Sequence, residues 1–144
     1  MAQKALILED TPANLQFFER LFSQAGFDII PATTGKQALE QLNNQTDITL
    51  AVLDMEVPDC TGIEMTHILR QRYPDMCIVV ATMHDSRTMM QDAFDVGCDV
   101  FLVKPHGFME LFKRLTTDGS HVLHANRPII IDQFGPRAFQ TVRS

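Results

Sequence analysis

An α/β fold built around a parallel sheet is predicted by three features of the sequence. Short apolar runs recur along the chain, and longer amphipathic segments lie between them. The runs are rich in valine, isoleucine and leucine, which is typical of strands buried on both faces. Glycine and proline residues mark many of the junctions between segments. This alternation indicates βα units, with helices on both faces of one sheet.

Five strands are predicted, one for each apolar run. They are expected at about residues 4–9, 27–31, 49–53, 77–81 and 99–103. Helices are expected after each strand, because apolar residues recur there at steps of three and four. These residues are Leu15, Phe18, Phe22 and Ala25; Ala38, Leu39 and Leu42; Met65, Ile68 and Leu69; Met89, Met90, Ala93 and Phe94; and Phe108, Leu111, Phe112 and Leu115. The crossovers between strands are expected to be right-handed.

Residues at the expected helix ends support these limits. Pro12 suits the first turn of the first helix, and Gly26 suits the position just past its end. Thr34 is a candidate N-cap of the second helix. Pro74 would stop the third helix, and Gly97 would end the fourth. The chain is therefore interpreted as five consecutive βα units.

Length, charge and cysteine content restrict the class of protein. A chain of 144 residues suits one domain with a substantial core. A net charge of −6 argues against binding nucleic acid through its phosphates. Neither a signal-peptide pattern nor an apolar stretch of about 20 residues is found, so no membrane partner is expected. The three cysteines lack Cys-x-x-Cys spacing, which favours reduced thiols in the cytoplasm.

The last part of the chain falls outside the five-unit pattern. A break at Asp118-Gly119-Ser120 predicts a domain over residues 1–118 and a tail or linker over residues 119–144. The tail contains the apolar run Ile129–Ile131. It could be a linker, a dimerisation arm, or a segment that adds a strand to a sheet through this run.

Acidic residues and a lysine follow three of the predicted strands. Glu9 and Asp10 end the first strand, Asp54 ends the third, and Lys104 follows the fifth. The carboxyl ends of parallel strands meet at one edge, where open α/β sheets bind ligands. Carboxylates that repel one another there recruit a cation, and Mg²⁺ prefers oxygen ligands. The pattern suits a magnesium-assisted phosphoryl acceptor with Asp54 as its nucleophile.

The order and spacing of these residues resemble the receiver domain of two-component response regulators. The resemblance extends from about residue 4 to about residue 115. Its motifs are Glu9-Asp10, Asp54 with Pro58 and Gly62, Thr82, Phe101 and Lys104-Pro105. It implies a flavodoxin-like (βα)5 fold with strand order 2-1-3-4-5, in which Asp10 and Asp54 are neighbours.

The resemblance also implies a role for each site residue. Asp54 would accept a phosphoryl group from phosphohistidine and form an acyl phosphate. Mg²⁺ would be bound by Asp10, Asp54 and the backbone carbonyl of Glu56, with Glu9 acting mainly through bound water. The Thr82 hydroxyl and the Lys104 ammonium would contact phosphoryl oxygens.

Two further residues bear on switching and on access to the site. Phe101 occupies the position of the switch aromatic, whose ring would rotate from solvent towards the core. That rotation would remodel the surface of helix 4, strand 5 and helix 5; the alternative is a permanently buried phenylalanine. Met83 stands where the family normally has a small residue, so its side chain would narrow access to the phosphoryl group.

The function implied is that of a phosphorelay signalling receiver. Its donor would be a histidine kinase or a phosphotransfer protein, and its target a downstream protein or a missing output domain. A homodimer through helix 4, strand 5 and helix 5 is a further expectation. The chain would not be an enzyme beyond its own phosphorylation and dephosphorylation.

Three other classes of protein share part of this pattern with the receiver. A phosphate-independent pseudo-receiver is favoured slightly by Met83 and opposed by the complete set of acids, threonine and lysine. A haloacid-dehalogenase-type phosphohydrolase would carry its acidic pair last in the chain, whereas Glu9-Asp10 comes first. A flavodoxin-type cofactor carrier would have a phosphate-binding loop where this pair lies.

Overall fold

Five βα units and a C-terminal pair of strands make up the computed structural model, which describes residues 3–104, 106–118 and 128–139. The units are β1 (Gln3–Leu8), α1 (Pro12–Gln24), β2 (Phe27–Ala32), α2 (Gly35–Asn43), β3 (Ile48–Asp54), α3 (Gly62–Arg72), β4 (Cys77–Thr82), α4 (Arg87–Asp95), β5 (Val100–Val103) and α5 (His106–Asp118). The last strands are β6 (Ile129–Asp132) and β7 (Gly135–Ala138), and a short hairpin pairs Glu56–Val57 with Cys60–Thr61.

Seven strands of the described residues form the main sheet, in the order β2-β1-β3-β4-β5-β6-β7. All neighbours are parallel except β6 and β7, which are antiparallel. The predicted order 2-1-3-4-5 is therefore confirmed, and the sheet is two strands wider than predicted. Because β1 and β3 are adjacent, the residues that follow them reach the same edge.

Seven of the ten predicted strand limits differ from the observed limits by one residue, and side-chain contacts account for two of these differences. The first strand ends at Leu8 rather than at Glu9, whose carboxylate turns back to accept a hydrogen bond from the Thr11 N–H at 3.2 Å. The fifth strand begins at Val100, because the carboxylate of Asp99 accepts hydrogen bonds from the Arg70 guanidinium at 2.6 Å and from the Ile78 N–H at 2.9 Å.

Apolar side chains cover both faces of the sheet, as continuous apolar runs require. On one face, strand residues pack with α1 and α5, and the rings of Phe18 and Phe108 stack with centroids 3.9 Å apart. On the other face, strand residues pack with α2, α3 and α4. Neighbouring residues of β1 alternate between the two faces, so Ile7 belongs to the first cluster and Leu8 to the second.

Part of the predicted tail joins the sheet. Ile129–Ile131 pairs with β5 in parallel, opposite Val100–Leu102, and each isoleucine is at least 96% buried. Burying a side chain of this size contributes about 1.5–3 kcal/mol. The chain thus adds a strand to its own sheet. The rest of the tail, residues 119–127 and 140–144, lies outside the described residues.

No helix in the described part of the chain is long and apolar enough to cross a membrane. The longest helices among the described residues, α1 and α5, have 13 residues each. A bilayer-spanning helix needs about 20 apolar residues.

Candidate functional site

Three carboxylates meet at the carboxyl edge of the sheet. Glu9 and Asp10 directly follow β1, and Asp54 is the last residue of β3. Leu8 and Leu53 are partners in the ladder between these two strands, so the acids after them are brought side by side. One carboxylate oxygen from each acid lies within 4.8 Å of the other two. This spacing is compatible with all three oxygens facing one bound cation.

Lys104 brings a positive charge into this cluster. Its backbone N–H donates to the Thr82 carbonyl at 2.7 Å, which positions the residue just past the end of β5. Its Nζ lies 3.1 Å from Asp54 Oδ1 and 3.5 Å from Glu9 Oε1. One lysine beside three carboxylates leaves an excess of negative charge, which favours binding of a divalent cation. Pro105, which completes the predicted motif, lies outside the described residues.

Glu9 is the most buried of the acids, with 2% of its surface exposed. Burial raises the pKa of Glu9 above its usual value, and the negative charge of Asp54 adds to this shift. The Thr11 N–H and the Lys104 ammonium act against it by stabilising the ionised form. Glu9 is therefore held in one orientation by two donors, between the backbone after β1 and the Lys104 side chain.

Thr82 and Met83 form the side of the site that lies at the end of β4. Thr82 is 3% exposed, and its hydroxyl oxygen accepts a hydrogen bond from the His84 N–H at 3.2 Å. Its hydroxyl proton can still be donated to a ligand. Met83 is 72% exposed at the rim. Both residues line a cleft of about 290 Å³ together with the three acids and Lys104.

The segment after Asp54 is held close to the strand edge. The Met55 N–H donates to the Ala81 carbonyl at 2.8 Å, and the Gly62 N–H donates to the Met55 carbonyl at 2.8 Å. A Cβ atom on Gly62 would lie 3.0 Å from the Asp54 carbonyl oxygen, so a side chain would push this segment away. Glu56 lines the same cleft, and its side chain is exposed.

Phe101 lies away from the cleft, under α4. Its ring is fully buried, 6.4 Å from the ring of Phe94. Its backbone is paired with Val80 on one side and Ile130 on the other. The structure therefore contains the buried orientation of this ring, not the solvent-facing one.

Four residues that line the cleft were not predicted from the sequence as site residues. They are Thr11, Asn14, Met55 and His84. A signal for Asn14 was present, since it lies in the first turn of the helix that follows Asp10. The first turn of such a helix faces the carboxyl edge of the sheet, where ligands bind.

The fold and the acidic cleft together define a flavodoxin-like domain with its candidate site at the carboxyl ends of β1, β3, β4 and β5. A family model described as the response regulator receiver domain matches residues 5–116. The chain belongs to this family of two-component signal-transduction domains. The family predicted from the sequence motifs is confirmed.

Curated relatives are much longer than this chain. The luminescence regulatory protein LuxO of Vibrio campbellii is 32% identical over 99 residues, which cover 69% of this chain and 22% of that protein. The hybrid signal transduction histidine kinase C of Dictyostelium discoideum is 28% identical over 142 residues, 90% of this chain and 12% of that protein. The chain therefore spans less than a quarter of either relative.

Solved receiver structures have the same fold. The chemotaxis protein CheY4 of Vibrio cholerae superposes with a TM-score of 0.73 at 26% identity, covering 80% of this chain and 97% of that one. The receiver domain of the Francisella response regulator 1452 gives a TM-score of 0.72 at 27% identity, covering 85% and 96%.

Proposed function

We propose that the chain is the receiver of a phosphorelay and that Asp54 accepts a phosphoryl group from phosphohistidine. The observation that carries this proposal is the cluster of Glu9, Asp10 and Asp54, with the Lys104 Nζ 3.1 Å from Asp54. In the transfer, an Asp54 carboxylate oxygen forms a bond to phosphorus while the phosphorus–nitrogen bond breaks. The imidazole of the donor histidine leaves with the electron pair of that bond.

The donor atoms of the cleft fit Mg²⁺, which is bound through carboxylate and carbonyl oxygens. Asp10, Asp54 and the backbone carbonyl of Glu56 would hold the ion, with Glu9 beside it. Bound Mg²⁺ supplies positive charge that stabilises the phosphoryl oxygens. Lys104 would move from its contact with Asp54 to a phosphoryl oxygen, and the Thr82 hydroxyl would donate to another.

The partners proposed are those of a signalling domain. A histidine kinase or a phosphotransfer protein would donate the phosphoryl group, and a downstream protein or an output domain would respond. The chain would catalyse only its own phosphorylation and the hydrolysis of its acyl phosphate. We place this exchange in the cytoplasm, because three cysteines without Cys-x-x-Cys spacing suit a reducing compartment.

Intact mass spectrometry tests the proposal. The protein is incubated with phosphoramidate, a small phosphorus–nitrogen donor, in the presence of Mg²⁺. We expect the mass of one phosphoryl group to be added, and no addition to Asp54→Ala or without Mg²⁺. The proposal would be contradicted if the wild-type chain gained no mass from phosphoramidate and none from a phosphorylated phosphotransfer protein. It would leave the phosphate-independent pseudo-receiver as the better interpretation.

Removing the Met83 side chain is expected to speed both uptake from small donors and loss of the phosphoryl group. Met83 lies at the rim of the cleft and is 72% exposed, where its long side chain can screen the acyl phosphate from water. We expect Met83→Ala to shorten the phosphorylated lifetime on the order of tenfold, equivalent to about 1.4 kcal/mol of activation free energy. The decay of the phosphorylated mass with time measures this lifetime.

Met109→Ala is the matched control for Met83. Met109 is also exposed, at 52%, but it lies on α5 and does not line the cleft. Its replacement should leave the lifetime unchanged. Equal lifetimes for Met83→Ala and the wild-type chain would show that Met83 does not limit access.

A further inference from the structure

The surface of α4 and β5 is covered by the chain's own C-terminal hairpin, residues 128–139. Strand β6 pairs with the edge of β5, with Ile130 opposite Phe101. The Ile129 N–H donates to the Asp99 carbonyl at 3.0 Å. The Phe139 N–H donates to the Pro128 carbonyl at 2.9 Å, which joins the two ends of the hairpin. A partner that used this part of the surface would have to displace the hairpin.

Phe139 anchors the hairpin to α4. Its side chain is 5% exposed, and its ring centroid lies 4.8 Å from that of Phe94. The Arg87 guanidinium lies 4.7 Å from the centre of the same ring, a cation–π distance. Arg87 and Phe94 are seven positions apart in the sequence of α4, two helical turns, and so lie on one face of that helix. The position of α4 therefore determines whether Phe139 fits.

The hairpin ends the sheet rather than offering a new edge. The Phe139 N–H points towards β6. In an antiparallel ladder the backbone N–H groups of successive residues point to opposite sides, so the backbone of Pro136 and Ala138 faces away from β6. Proline has no N–H to donate, which weakens pairing with a further strand. The outer edge of β7 is therefore poorly suited to pairing with a strand of another molecule.

A short path joins the candidate phosphorylation site to the Phe139 anchor. The Thr82 hydroxyl oxygen accepts from the His84 N–H, and Ser86 is the N-cap of α4, accepting from the Met89 N–H at 3.3 Å. Arg87 is the first residue of that helix. If Thr82 turns towards a phosphoryl group, its contact with His84 changes and the segment leading to Arg87 shifts. The cation above the Phe139 ring would then be displaced.

We propose that the C-terminal hairpin is an intramolecular clamp, seated on α4 and β5 when Asp54 is unmodified and released from both when Asp54 is phosphorylated. The inference rests on the proposed phosphorylation of Asp54. Seating keeps Phe101, Phe94 and Phe139 packed together. Release uncovers the edge of β5 and the apolar face of α4, which the expected homodimer through α4, β5 and α5 would need.

Amide hydrogen exchange tests the release directly. The readouts are the amides of Ile129 and Phe139, whose hydrogen bonds seat the hairpin. The full chain is compared with and without beryllofluoride, an acyl-phosphate mimic, in the presence of Mg²⁺. We expect exchange at both amides to become at least about tenfold faster, within the range of allosteric coupling. Unchanged or slower exchange in protein that has bound beryllofluoride would overturn the clamp alone.

Two matched variants test the same coupling from the hairpin side. Phe139→Ala removes the anchor, whereas Phe134→Ala removes a ring that is 79% exposed in the turn between β6 and β7. Because coupling between two sites is reciprocal, Phe139→Ala should bind beryllofluoride about fivefold or more tightly than Phe134→Ala. Equal affinities would overturn the proposal.

A third variant covers the case in which Phe139→Ala does not fold. Arg87→Met removes the cation above the ring and retains a long side chain at the start of α4. It should raise the affinity for beryllofluoride in the same direction and by a smaller factor. If no variant binds beryllofluoride and the wild-type chain gains no phosphoryl mass, the proposed function fails and the clamp fails with it.

Discussion

Phosphoryl uptake by Asp54 is expected to fall about 10²–10³-fold when Lys104 is replaced by methionine, the loss typical of removing one preorganised donor to a charged transition state. The Lys104 Nζ lies 3.1 Å from Asp54 Oδ1, and the Lys104 side chain is only 13% exposed. In a partly buried site its charge is weakly screened, so it would act strongly on the phosphoryl oxygens in the proposed transfer. Methionine keeps the apolar length of the side chain and removes the charge.

The rate of mass gain from phosphoramidate at saturating Mg²⁺ measures this effect. Lys113→Met is the control for loss of one positive charge, because Lys113 is exposed on α5. We expect that variant to react at nearly the wild-type rate. Equal rates for Lys104→Met and Lys113→Met would mean that Lys104 plays no part in the transfer. Circular dichroism at the assay temperature excludes unfolding as the cause of a slow reaction.

Phe101→Ala is expected to lower the free energy of unfolding by about 3–5 kcal/mol, the usual cost of truncating a buried phenylalanine. The ring of Phe101 has no exposed surface and lies in a cluster with Val80, Met90 and Ile130. Its removal leaves a cavity between α4, the sheet and the C-terminal hairpin. For a domain of this size the melting temperature should fall by roughly 6–20 °C.

Urea and thermal unfolding measure the change, and Phe134→Ala is the control. The Phe134 ring is 79% exposed, so its loss should change stability by less than about 0.5 kcal/mol. A loss near 1 kcal/mol for Phe101→Ala would show that its ring spends much of its time outside the core. That outcome would favour a rotating switch aromatic. The full loss would favour a ring held in place while the hairpin is seated.

The five strands could be predicted because each lies inside the sheet and is covered on both faces. A strand in that position must be apolar at every residue, so Val100–Val103 is visible as a continuous run. The ends of strands were less predictable. Asp99 was placed in the fifth strand, but its carboxylate accepts from Arg70, a residue distant in sequence whose contact no local pattern reveals.

The candidate site could be anticipated in outline for a related reason. Glu9, Asp54 and Lys104 each follow an apolar run, and parallel strands bring such residues to one edge. Their distances could not be anticipated. The contact of Lys104 with both carboxylates depends on the register between neighbouring strands and on the path of the backbone after β5.

The βα pattern, the family and the residues at the acidic edge can be predicted from the sequence alone, because they depend on local periodicity and on residue type. The sequence also marks Ile129–Ile131 as an apolar run. The pairing of this run with β5 and the packing of Phe139 on Phe94 are seen only in the folded chain. A short apolar strand can pair with any exposed sheet edge. The edge it pairs with is therefore decided by all the side-chain contacts that the strand and its neighbours make in the folded chain. That selection is not encoded within the strand.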